Sequence, residues 1–137
     1  MKSLRKKPSE LGNITNMLKK DIATTFLQMA SSGAVREAYE KYIHPEFIHH
    51  NGYFKGDRET LLRGMEENAQ QFPNKQCEIL RTLEDGDLVA VQCKITLDAE
   101  NVFALIHIFR FKDEKIVEEW EASQEARKDS PNENGIF

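Results

Sequence analysis

Two side chains near the end of the chain could do acid/base chemistry together. His107 sits inside an otherwise apolar stretch, VFALIHIF, and Glu121 follows fourteen residues later, directly after the single tryptophan, Trp120. A histidine beside a carboxylate in an apolar pocket is a candidate proton-transfer pair, because burial and a charged neighbour both move pKa values. The bland alternatives are a neutral core histidine at His107 and a surface carboxylate at Glu121, within the acidic run Glu118-Glu119-Trp120-Glu121. An inward-facing Glu121 requires a partner or a raised pKa, since an uncompensated buried carboxylate is costly.

The other chemistry-bearing residues are less pointed. His44, His49 and His50 suggest a metal, but His44 precedes a proline, and consecutive residues on a strand point to opposite faces. No metal is expected. Cys77 and Cys93 fit no zinc spacing and are expected to be reduced core residues. Tyr39 and Tyr42 share the inward stripe of a helix, where packing is the default, although either hydroxyl could reach a ligand. The sequence has no phosphate loop, Ser/His/Asp arrangement or glycine-rich fingerprint, so no cofactor is expected.

These residues need elements to position them. Ile14, Leu18, Ile22, Phe26 and Met29 recur at helical spacing and predict a helix from about Asn13 to Ala30. A second helix, with Val35, Ala38, Tyr39 and Tyr42 on one face, must end before Pro45. Glu46 to His50 reads as a short strand. Asp57 reads as an N-cap for a helix over Arg58 to Gln71, with Leu61, Leu62, Met65 and Ala69 inward. From Gln76 the apolar period changes to two, predicting strands Gln76–Glu84, Leu88–Leu97, Asn101–Lys112 and Ile116–Gln124 in a meander.

Turn chemistry bears on register. A three-residue Glu84-Asp85-Gly86 loop would set Ile79 against Val91 and Cys77 against Cys93. For the last hairpin, an odd loop places His107, Glu119 and Glu121 on one face with Phe103, Phe109 and Val117, whereas an even loop separates His107 from Glu121. A three-residue Asp113-Glu114-Lys115 loop would set Arg110 opposite Glu118 and His107 opposite Glu121. Both faces of the Val102–Phe111 strand are apolar, and three helices can cover only one. A second copy is the simplest cover for the other face, so a homodimer through the outer sheet face is expected, with Trp120 in the interface.

Composition sets outer bounds. At 137 residues and a net charge of −4 the chain is one soluble-type domain with no basic footprint for nucleic acid. Residues 1–12 read as a basic flexible tail and residues 13–137 as a single domain. No signal-like or membrane-length apolar run occurs, so a cytoplasmic protein is expected.

The order helix, helix, short strand, helix, long antiparallel meander resembles the nuclear-transport-factor-two-like fold. At the residue level the chain resembles the SnoaL-like polyketide cyclase group within it. The resemblance rests on His49-His50-Asn51-Gly52 after HPEF, Gly56 before a helix, EDGDLVAVQ at 84–92, FRFKDEKIVEEWEASQ ending at Gln124, and the closing NENGIF. It implies an α+β cone, a curved antiparallel sheet wrapped by three helices around an apolar pocket. It also implies that His107 and Glu121 occupy the positions of the family's catalytic histidine and aspartate, with Glu here in place of Asp. His50-Asn51 matches the family's first-strand pair, making His50 a third pocket candidate beside Tyr39, Tyr42 and Phe109. The implied activity is cofactor-independent isomerisation, cyclisation or dehydration of a small hydrophobic carbonyl compound. The alternative is a non-catalytic dimeric module for small-ligand binding or assembly.

Overall fold

The computed structural model describes residues 17–137; the tail at 1–12 and the start of the expected first helix lie outside that range. Helix α1 runs Lys19–Ser31 and buries Ile22, Ala23, Phe26, Leu27 and Ala30. Leu18, expected on the apolar stripe, instead forms the extended N-cap and is 54% exposed. Helix α2, Val35–Tyr42, buries the four residues its spacing predicts. Gly33 joins the helices with φ 100°, a left-handed position that a residue with a Cβ adopts only at a cost.

Strand β1, Ile43–His49, follows α2 without a break and begins earlier than the sequence suggests. Pro45 lies within it, which is tolerated because β1 is an edge strand. Helix α3, Arg58–Gln71, starts as expected from Asp57, whose Oδ2 accepts a bond from the Thr60 amide at 3.0 Å. The long strands are β2 Gln76–Asp85, β3 Leu88–Asp98, β4 Asn101–Lys112 and β5 Lys115–Glu125.

The sheet order is β1-β5-β4-β3-β2, antiparallel except where β1 lies parallel to β5 with His49 paired to Glu119. The three helices cover one face of this curved, unclosed sheet. The core joins Phe26, Tyr39 and Leu62 from the helices to Val89, Val91, Phe109 and Ile116 from the strands. Among the described residues nothing covers the outer face of β4, leaving Ile106 and Ile108 exposed. No helix among the described residues is long and apolar enough to cross a membrane.

Both hairpin turns differ in length from the sequence-based expectation, and the β2–β3 register departs from it as well. The β2–β3 loop has two residues, Gly86-Asp87, closing Asp85 against Leu88. Gly86 has φ 61°, while Asp87 is not among the positive-φ residues, the pattern of a type II′ turn. An irregularity between Ile79 and Arg81 then shifts the pairing, so Ile79 faces Cys93 and Cys77 faces Ile95.

The last hairpin also has a two-residue turn, Asp113-Glu114, between paired Lys112 and Lys115. Both turn residues are left-handed, at φ 51° and 65°, as a type I′ turn requires. An even loop alone would separate His107 from Glu121. A bulge restores the parity: Phe111 pairs with Ile116 but Arg110 with Glu118, so Val117 is the extra residue and His107 faces Glu121.

Candidate active site

A cavity of about 250 Å³ opens between α1, α3 and the inner face of the sheet, and His107, Glu119 and Glu121 are in its wall. The Val117 bulge directs both carboxylates inward. His107 does not bond to the residue facing it across the ladder. Its Nδ1 donates to Glu119 Oε1 at 2.8 Å, diagonally across the strands, with both side chains buried. The sequence places Glu119 on this face but gives it no role; the structure makes it the direct partner of His107. The ring also stacks on buried Phe109, with centroids 5.5 Å apart and planes within 5°.

Glu121 has a different partner. Its Oε2 accepts a bond from Asn51 Nδ2 at 2.8 Å. Asn51 follows the end of β1, in a turn tied to His49. The His49 Nε2–H donates to the Lys55 carbonyl at 2.9 Å, leaving Nδ1 to accept from the Asn51 amide at 3.2 Å. Asn51 Oδ1 in turn accepts from the Tyr53 amide at 3.0 Å. His49 is thus a buried orienting residue that holds Asn51 against the carboxylate.

The electrostatics follow from this packing. Burial opposes a charge on His107, but the hydrogen bond and charge of Glu119, with Glu121 nearby, outweigh it and raise its pKa above the ordinary histidine range. Burial raises the Glu121 pKa, opposed chiefly by the charge of His107, while Glu119 adds to the rise. Among the described residues, the buried polar atoms lacking any partner are Asp57 Oδ1 and Arg58 Nε. His107 Nε2 and the second oxygen of Glu121 have no hydrogen-bond partner among the described residues, and both groups line the cavity.

His50 is not in the cavity wall, correcting its assignment as a pocket residue. It lies just beyond β1 with the opposite orientation from His49. There it meets Glu118 at 2.8 Å and stacks on Trp120 with centroids 5.1 Å apart. Strand parity is the reason, and it sends Asn51, not His50, toward the pocket. Tyr39, Tyr42 and Phe109 are core residues outside the cavity wall. The Tyr39 hydroxyl meets Met65 Sδ at 3.4 Å, and burial raises its pKa.

As for metals, His107, Glu119 and Glu121 have ligand atoms all within 4.8 Å of one another. That set could hold a divalent cation, and it is not the group of His44, His49 and His50 that the sequence suggests. Nδ1 of His107 is already engaged by Glu119, so a cation would have to use Nε2 or break that bond.

Comparison with known proteins places the chain in a family. AclR from Streptomyces galilaeus is 18% identical, with TM-score 0.67, over 77% of this chain and 78% of its own. IdmH from Streptomyces antibioticus is 22% identical, with TM-score 0.64, over 79% of this chain and 93% of its own. An NTF2-like protein of unknown function from Cytophaga hutchinsonii is 13% identical, with TM-score 0.65, over 79% of this chain and 91% of its own. These likenesses show the α+β, NTF2-like fold that the sequence resemblance implies. No curated protein matches the chain. A family model described as SnoaL-like polyketide cyclase matches residues 20–127. The chain belongs to the SnoaL-like polyketide cyclase family.

Proposed function

We propose that the protein is a cofactor-independent enzyme that moves a proton at the carbon next to a carbonyl in a small hydrophobic molecule. The observation that carries this reading is the placement of two separately bonded carboxylates around one histidine in the cavity wall. Glu119 holds Nδ1–H of His107, which fixes the ring and favours its charged form. Nε2–H is then the donor toward a carbonyl oxygen, where it would stabilise a developing enolate. Glu121, held by Asn51 through one oxygen, has its other oxygen for the substrate proton. A raised carboxylate pKa makes it a better match for that task at neutral pH. Isomerisation, cyclisation and dehydration all begin with this step.

The test needs no knowledge of the natural substrate. In deuterated buffer the protein should accelerate exchange at the carbon next to the carbonyl of small apolar ketones. Glu121→Gln should abolish the acceleration while leaving the melting curve cooperative. Unaltered exchange in that variant would remove Glu121 from the mechanism.

The exposed Ile106 and Ile108 of β4, continuous with Trp120 on β5, support pairing of two copies through the outer sheet face. Size-exclusion chromatography with light scattering should give twice the chain mass; a monomer at high micromolar concentration would contradict it.

A further inference from the structure

We propose that Lys75 is an anion-binding residue of the cavity, and that the ligand carries a carboxylate at the end remote from its reacting carbonyl. Among the described residues lining the cavity, Lys75 is the one lysine or arginine. It sits in the loop between α3 and β2, where its amide donates to the Phe72 carbonyl at 3.1 Å. Its Nζ donates to Asn68 Oδ1 at 2.6 Å and makes no ion pair among the described residues. Burial lowers its pKa, and the Cys77 thiol is the acidic group acting against that shift. A half-buried ammonium with a neutral amide as its partner has an unmet demand for negative charge. The nearby C-terminus of α1 at Ser31 offers only the partial negative charge of a helix end.

The cavity is polar at two separated places. His107 pairs with Val91 on β3, whereas Gln76, directly after Lys75, pairs with Thr96. Five residues of β3 at about 3.3 Å each put these levels on the order of 16 Å apart. Phe103, Leu105 and Ile95 line the wall along the intervening strands. A carboxylate at the Glu119–Glu121 end would meet like charge, while at the other end it would meet Lys75, with Asn68 and Ser31 beside it. One ammonium matches the single charge of a carboxylate. The acidic and basic ends would therefore bind an elongated apolar acid in one direction. The position of the carbonyl rests on the proton-transfer reading above; the carboxylate site does not.

Titration with octanoate and octan-1-ol, followed by heteronuclear NMR at neutral pH, tests the inference. The two probes share an apolar chain and differ in charge. The protein should bind octanoate about tenfold more tightly or better, the scale of one charge-assisted contact. Lys75→Met should bring octanoate down to the affinity of octanol and leave octanol unchanged, whereas Lys75→Arg should retain the preference. Lys75→Gln, which keeps a donor toward Asn68, serves the same comparison if the methionine variant does not fold. Glu121→Gln should keep the preference even if its proton-exchange activity proves unaffected, so the two proposals fail separately. Failure of the native protein to bind octanoate, equal affinity for both probes, or a preference that survives loss of the Lys75 charge would each overturn the proposal. So would a preference lost in His107→Gln but kept in Lys75→Met.

Discussion

Glu119→Gln isolates the charge on which the proposed state of His107 depends. Glutamine keeps an oxygen for Nδ1–H and nearly the same volume, so the 2.8 Å contact can persist in neutral form. What disappears is a full negative charge beside an imidazole largely sealed from water. Burial, the largest influence on His107, would then be opposed mainly by Glu121. A hydrogen bond to a charged group contributes about 1.5–3 kcal/mol, against about 0.5–1.5 for a neutral one. The difference is on the order of 1 kcal/mol, a roughly fivefold loss in the proton-binding constant of His107. An NMR titration following the His107 Cε1–H resonance reads this directly, with the midpoint moving to lower pH. Ketone proton exchange should fall with it, while stability changes by no more than about 1.5 kcal/mol, because the acceptor is retained. Glu119→Ala, by contrast, should cost about 3–5 kcal/mol by stranding a buried partner. A His107 midpoint unmoved by Glu119→Gln, or moved upward, would refute the assignment of Glu119 as the group that charges and orients the ring.

The same groups set a pH dependence of stability. The pKa values of His107 and Glu121 are both raised on folding, so the folded protein binds their protons more tightly than the unfolded chain. Their stabilising contribution is complete below the ordinary carboxylate range. It is lost for Glu121 as pH rises above that range, and for His107 above its reference value of 6.5. Urea midpoints should therefore fall from about pH 5.5 to about pH 8, and Glu121→Gln should flatten the lower part of that slope; a rise would contradict the sign. At the last hairpin, Glu114→Gly should stabilise by about 1 kcal/mol, because φ 65° strains a residue with a Cβ. Thermal unfolding should then shift upward by about 3 °C, and a lowered melting temperature would argue against the type I′ turn. Finally, a hydrogen bond from Cys93 lowers the Cys77 pKa to about 7, while Cys93 itself is pushed up and fully buried. Mass-resolved alkylation near neutral pH should label Cys77 first; preferential labelling of Cys93 would exclude that arrangement.

Much of this protein is determined locally and is visible in one dimension. Val35, Ala38, Tyr39 and Tyr42 specify a buried helix face by spacing alone, and Asp57 specifies a helix start through one side-chain bond. The alternation along β4 separates the residues sharing a face with His107 from those beside Ile106, but both sets are apolar, and only the packing of the helices decides that the His107 face is the inner one. Register between strands is a different kind of quantity. It depends on a bulge at Val117, and a bulge is stabilised by packing and by β1 lying against β5, neither of which has a local sequence signature. The outcome agrees with the odd-loop expectation for a different reason, through a two-residue turn plus one extra residue. Strand parity beyond β1 likewise separates His50 from Asn51, and the first-strand pair could not show which of them enters the pocket. The pairing of His107 with Glu119 in place of Glu121, and the presence of Lys75 in the same cavity wall, arise where residues distant in sequence share one cavity. Residue types and their spacing determine the available chemistry of this chain, but only tertiary packing decides which groups meet. Hydrogen bonding and desolvation act through space over a few ångströms, whatever the distance along the chain.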